Sequence, residues 1–158
     1  RRQMIWEELD KSVIVPDLEA ETWEDVMKSL GQKLIDEGYT KESYIDALLT
    51  REKDFPTGLD IDGLGVAIPH TDVSHVNKAG IAIGVLKKPV TFIQMGSDDE
   101  EIGVKLVFML AVTDPNAHID ELQRIIEIIQ DKDVLEKLFT VTDKDTIIEV
   151  IKEKENLL

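Results

Sequence analysis

The stretch Phe55-Pro56-Thr57-Gly58-Leu59-Asp60-Ile61-Asp62-Gly63-Leu64-Gly65-Val66-Ala67-Ile68-Pro69-His70 organises the reading of this chain. Gly58, Gly63 and Gly65 interrupt its first part and favour turns, because glycine reaches backbone angles that other residues avoid. Val66, Ala67 and Ile68 then form a short apolar run, long enough for one buried strand. Pro69 has a fixed φ and no N–H for a β-ladder, so the strand is expected to stop there. His70 is thereby delivered at the end of a buried strand, on a stiff base, at the mouth of a loop. Such a position suits a reactive imidazole better than a filler side chain.

On the N-terminal side, Arg1–Asp10 carry no pattern, and Ser12-Val13-Ile14-Val15-Pro16 reads as a short edge strand ended by proline. Thr22 followed by Asp25 is a variant capping box. From there Val26, Met27, Leu30, Leu34 and Ile35 recur at helical spacing up to Gly38, a natural C-terminal stop. A second helix begins after Thr40 and places Tyr44, Ala47 and Leu48 on one face, with Arg51 one turn further along it. An arginine in that place has two readings. Its stem can run along the apolar face with its head in water, or its planar fork can serve a phosphate. The short path from Arg51 through Phe55–Gly58 into the strand ending at His70 tethers it near that histidine.

On the C-terminal side, Thr71–Lys78 is a polar loop containing His75. Gly80–Leu86 is apolar on both faces and reads as an interior strand. Lys87-Lys88-Pro89 reads as a turn, Val90–Ile93 as a short strand and Gly96–Gly103 as an acidic loop. Lys105–Val112 is the strongest strand pattern and is expected at the centre of the sheet. Asp114 and Pro115 supply an N-cap and a first helical residue, followed by an apolar stripe of Ile119, Leu122, Ile125, Ile126 and Ile129. Two further helices are expected over Asp133–Phe139 and Lys144–Lys154, the latter capped by Thr142. With no repeat, low-complexity run or linker, the economical arrangement is one domain over residues 1–158, of α/β (α+β) class, with helices flanking a small mixed sheet.

Composition narrows the chemistry. A hydrophobic content of 42% supports a packed core and argues against disorder. The absence of cysteine excludes disulfides, thiol catalysis and thiolate metal sites, and fits a reducing cytosol. A formal charge of −15 opposes unaided binding to nucleic acid or to an anionic membrane, and suits solubility or a partner with a basic face. No apolar run has the length of a membrane span and no signal peptide is visible. The chain begins at Arg1 rather than methionine, so further N-terminal sequence is expected.

Three histidines are available: His70, His75 and His118. His118 falls in the first turn of the helix after Pro115, where the backbone N–H groups and dipole disfavour imidazolium and attract anions. A neutral His118 there can donate to a phosphoryl oxygen. Both His70 and His118 follow strands expected to be central, and ligand sites gather at strand ends in open sheets. A lone histidine is usually a surface or satisfied residue, so the pairing carries the interest. His70, Asp72 and His75, joined by His118, offer a rival zinc reading, although the five-residue separation lacks helical ligand spacing. No nucleophile elbow, P-loop or dinucleotide fingerprint is present, so acyl transfer, nucleotide hydrolysis and hydride transfer have no support. Asp98, Asp99, Glu100 and Glu101 read as a solvated loop.

Ala67-Ile68-Pro69-His70, preceded by Arg51-Glu52 and Pro56-Thr57 and followed by a strong strand and then His118-Ile119, resembles a known family. This is the enzyme IIA domain of the bacterial phosphoenolpyruvate-dependent sugar phosphotransferase system, fructose/mannitol type, over about residues 10–153. The Phe55–Gly58 turn and the extra histidine, His75, are most similar to the galactitol-specific branch. The resemblance implies a mixed five-stranded sheet flanked by helices on both faces. It implies that His70 is the nucleophile that takes a phosphoryl group from phospho-HPr and passes it to a cysteine of a IIB component. His118 would then be the second active-site histidine, Arg51 the arginine beside the phosphoryl oxygens, and the membrane IIC permease an indirect partner. It implies a cytoplasmic protein without cofactor or metal. Relatives carry a polar or acidic residue where this chain has Leu64, so hydrogen bonding near His70 is expected to differ. No role carries over to His75. A regulatory module of the same fold and a metal-dependent hydrolase are the competing functions.

Overall fold

The computed structural model describes residues 4–158; Arg1–Gln3 of the expected domain lie outside them. Five strands form one sheet: β1 (Ile14–Leu18), β2 (Gly58–Ile61), β3 (Leu64–Ala67), β4 (Gly80–Ile93) and β5 (Glu101–Ala111), in the order β1-β4-β5-β3-β2. The strand expected at the centre is there: β5 lies between β4, antiparallel, and β3, parallel. From Leu106 onward its side chains alternate between two cores. Leu106, Phe108 and Leu110 join one, Val107, Met109 and Ala111 the other. A strand covered on both faces reads as a continuous apolar run for this reason.

Five helices supply the covers: α1 (Trp23–Asp36), α2 (Tyr44–Asp54), α3 (Pro115–Ile129), α4 (Lys132–Thr140) and α5 (Lys144–Asn156). Val26, Met27, Leu30 and Leu34 of α1 and Tyr44 and Leu48 of α2 pack on one face; Ile125, Leu135, Leu138, Ile147 and Ile151 of α3–α5 pack on the other. Thr22 caps α1 through the Asp25 N–H, and Gly38, at φ 80, ends it with the Gly38 and Tyr39 N–H groups returning to Ile35 and Leu34. None of the described helices is long and apolar enough to cross a membrane.

Several local expectations are corrected. The glycine-rich stretch is a β-hairpin, β2–β3, whose two-residue loop has positive φ at Asp62 (51°) and Gly63 (87°). That is the twist-matched turn an Asp-Gly pair favours. Residues 80–93 form one strand rather than strand, turn and strand: Val85 pairs with Leu106 and Val90 with Val104, so Leu86–Pro89 bulge opposite Lys105. Pro16 does not end β1, which runs on to Leu18 at the sheet edge with its pairing broken between Val15 and Leu18. An edge tolerates the missing N–H. Residues 101–103 belong to β5, not to a loop. Asp143, rather than Thr142, caps α5 by accepting from the Thr146 N–H. Ile119 leaves the expected stripe and is 57% exposed.

One glycine is required by contact. A Cβ on Gly65 would stand 1.9 Å from the Gly103 carbonyl oxygen, where β3 meets β5 and the register slips. Gly65→Ala is expected to lose about 3 kcal/mol or more of unfolding free energy in urea titration, since backbone atoms cannot swing aside.

Candidate active site

Three connections bring three side chains to one end of the sheet. β3 and β5 are adjacent and parallel, so the segments that follow them, Ile68–His70 and Val112–His118, emerge together. The Leu110 N–H donates to the Pro69 carbonyl at 2.9 Å and pins the first of these to β5. β2 runs antiparallel to β3 with Gly58 opposite Ala67, so its first residue lies at that same end. α2 therefore discharges Arg51 there, through the turn at Phe55–Thr57.

The imidazoles of His70 and His118 lie 4.6 Å apart between ring centroids, tilted by 53°. With Arg51 they line an open depression of about 380 Å³, completed by Thr71, Asp72, Val73, Ser74, Val112 and Pro115. His70 is half-buried, and its Nδ1 lies 3.0 Å from the Ile68 carbonyl oxygen. A carbonyl only accepts, so Nδ1 carries the proton and Nε2 holds the free lone pair. Burial pushes the His70 pKa below the ordinary imidazole value; the Ile68 carbonyl opposes this, and the charges of His118 and Arg51 add to it. His118 is lowered likewise, first by burial and then by Arg51. Both rings are consequently neutral at pH 7.

His118 stands one turn into α3, which Asp114 caps through the Asn116 N–H and Pro115 opens. Its Nδ1 is buried and has no hydrogen-bond partner, as is Nε of Arg51. Buried polar atoms are normally satisfied, and two orphans flanking a third polar ring mark a place for a polar ligand. The Arg51 guanidinium is set over the Phe55 ring, 5.0 Å from its centroid. Arg51 thus places a cation at the site, with the Asp72 carboxylate in the same lining, on a strongly acidic chain. Val73 in that lining, Phe55 against Arg51 and Ile119, next in sequence to His118, are exposed apolar side chains, surface that a protein partner can cover.

The three candidates of the phosphoryl-transfer reading, His70, His118 and Arg51, lie in this depression, as does Asp72 of the zinc reading. His75 does not: its Nδ1 is 2.8 Å from Ser43 Oγ, in a neighbouring hollow that shares Arg51, Thr71 and Asp72. Among the described residues no group of three histidine, aspartate or glutamate side chains is placed to hold a metal ion. The lining role of Thr71–Ser74 and the position of Ile119 carried no signal in the sequence. The first depends on how the loop after His70 folds back, the second on how α3 is set against the sheet.

Over residues 7–154 the chain matches the family described as phosphoenolpyruvate-dependent sugar phosphotransferase system, EIIA 2. The chain belongs to this family. As an EIIA phosphotransferase it is 29% identical over 119 residues to the PTS system galactitol-specific EIIA component of Escherichia coli (strain K12), covering 75% of this chain and 79% of that protein. Its fold is that of solved EIIA structures. Enzyme IIA mannitol from Escherichia coli, in complex with phosphorylated enzyme IIB mannitol, superposes with a TM-score of 0.77 and 27% identity over 92% of this chain and 97% of that one. The nitrogen regulatory protein IIA-Ntr from Neisseria meningitidis gives 0.74 and 27% over 93% and 98%.

Proposed function

We propose that this EIIA, acting as one domain over its 158 residues, is a cytoplasmic phosphocarrier whose acceptor is His70. It takes a phosphoryl group from phospho-HPr and passes it to a IIB component serving uptake of galactitol or a related carbohydrate through a membrane IIC permease. The observation that carries this reading is the His70 ring held through Nδ1 by the Ile68 carbonyl, in one depression with two side chains whose buried nitrogen atoms have no partner, Arg51 Nε and His118 Nδ1. Nε2 of His70 attacks phosphorus as the donor's N–P bond breaks, and the donor nitrogen leaves with the electron pair. The proton stays on Nδ1 throughout, donated to the Ile68 carbonyl. In the second half-reaction a IIB cysteine thiolate forms the S–P bond as the bond to His70 breaks, returning the lone pair to Nε2. Arg51 and His118 stabilise the equatorial oxygens by charge and hydrogen bonding, which is most of what such a transfer needs. The exposed apolar surface suits docking by proteins rather than entry of a free sugar, and no cofactor or metal enters either step.

The galactitol assignment draws on the similarity to the Escherichia coli galactitol-specific component. A regulatory reading, in which the same histidine reports phosphorylation state to a transporter, kinase or transcription factor, draws on the likeness to IIA-Ntr. Incubation with enzyme I, HPr and phosphoenolpyruvate, followed by addition of a galactitol-type IIB, separates them. Labelled protein that discharges onto that IIB supports transport; labelled protein that discharges onto no sugar-specific IIB supports regulation.

A further inference from the structure

A buried carboxylate closes the turn between α2 and β2. Glu52, adjacent to Arg51 and only 7% exposed, accepts from the Thr57 N–H at 2.8 Å. It also accepts from the Thr57 hydroxyl, at 2.9 Å to Oε1 and 3.2 Å to Oε2. Thr57 is itself buried, and its carbonyl accepts from the Ile68 N–H at 3.2 Å. The Ile68 carbonyl is the one that holds Nδ1 of His70. Within the closed turn, the Phe55 N–H donates to the Arg51 carbonyl at 2.7 Å while the Phe55 ring supports the guanidinium.

We infer that Glu52 and Thr57 are positioning residues for phosphoryl transfer: one tie sets the turn that seats Arg51 and the peptide that orients His70. The inference rests on the reading of His70 as the acceptor. An apolar side chain would fill the same space without the desolvation that a carboxylate suffers there. That desolvation is plain in Glu52 itself, whose pKa is pushed up to about 7 by burial, against the hydrogen bonds from Thr57 and the Arg51 charge. A group kept under that penalty, linked through two successive peptides to a reacting ring, is explained by geometry rather than by packing.

The carboxamide of glutamine keeps the tie, with its oxygen accepting from the Thr57 N–H and its nitrogen donating to the hydroxyl. Serine at 57 keeps it as well. Glu52→Ala and Thr57→Val break it. The test is the rate of phosphorylation by enzyme I, HPr and phosphoenolpyruvate, resolved into kcat and the KM for phospho-HPr, together with ¹⁵N spectra of the His70 ring. Glu52→Ala and Thr57→Val are expected to lower kcat by about tenfold to a hundredfold, the loss typical of a reacting group misplaced by a fraction of an ångström to an ångström. KM should change little, and the spectra should lose the single Nδ1–H tautomer. Glu52→Gln and Thr57→Ser should restore both readouts. Wild-type kcat and tautomer in a folded Glu52→Ala or Thr57→Val protein overturns the inference, as does a Glu52→Gln protein as impaired as Glu52→Ala. Should Glu52→Ala fail to fold, Thr57→Val against Thr57→Ser decides alone. Wild-type protein that takes no phosphate on His70 refutes the acceptor reading instead, while the ring spectra still judge the tie.

Discussion

His70→Ala protein, given enzyme I, HPr and phosphoenolpyruvate, takes up no acid-labile phosphate, whereas the unaltered chain takes up one group. The expectation follows from lone pairs rather than from proximity. His118 is the neighbouring imidazole, 4.6 Å away, but its Nδ1 is buried, and it sits on the first turn of α3, a donor in the proposed reading. It lacks the carbonyl that commits His70 to one tautomer. Arg51 cannot act as a nucleophile at any physiological pH. Truncating His70 leaves the core intact, because the ring is only half-buried and is held by a hydrogen bond to the backbone carbonyl of Ile68 rather than by packing in the core. The variant should keep its far-UV spectrum and its melting temperature to within a few degrees. Mass spectrometry under neutral conditions checks the result, and full labelling of a folded His70→Ala protein refutes His70 as the acceptor.

Arg51→Gln lowers the rate of phosphoryl transfer by about a hundredfold to a thousandfold, in the range found when a cation is removed from a transferring phosphoryl group. The side chain is held by Phe55 and has a buried, unpartnered Nε, so it needs no reorganisation when charge develops. The substitution also alters the pH profile. Burial leads in holding the His70 pKa down, followed, against the Ile68 carbonyl, by repulsion from His118 and Arg51. A depressed imidazole stays neutral as pH falls through 6.5, so the acid limb of the wild-type rate lies below that value. Removing the Arg51 cation moves the limb upward, but only partway, since burial remains. Rapid-quench rates between pH 5 and 8 measure both effects (a range spanning the ordinary imidazole titration). An unchanged rate would remove Arg51 from the site; an acid limb that moves down would contradict the sign of its charge.

Much of this was legible in one dimension. The central run from Lys105 identified itself because both of its faces are covered, and Thr22, Gly38 and Asp114 announced helix ends through capping chemistry that is local by nature. Pro69 and His70 read correctly as a strand end and a presented ring. The failures concern how segments pair and pack. Lys87-Lys88-Pro89 has turn composition, yet β5 passes alongside and converts it into a bulge. Asp62-Gly63 is a strong hairpin signal that the nearby Gly58 and Gly65 disguised as general irregularity. Ile119 has helical spacing with the stripe of α3, yet it stays exposed while Leu122, Ile125, Ile126 and Ile129 further along reach the core.

The residue types by themselves determined the chemistry on offer: no thiol, few imidazoles, one arginine tethered to the strand that carries His70, and an acidic surface that opposes nucleic acid. They also determined the local starts and stops, because a cap or a proline acts within a few bonds. Only the tertiary structure decided that Arg51, His70 and His118 converge, since their meeting requires β3 beside β5 in parallel and β2 folded back on β3. It also decided that Glu52 faces Thr57 from within the protein, a contact between neighbours in sequence that becomes consequential only where water is excluded.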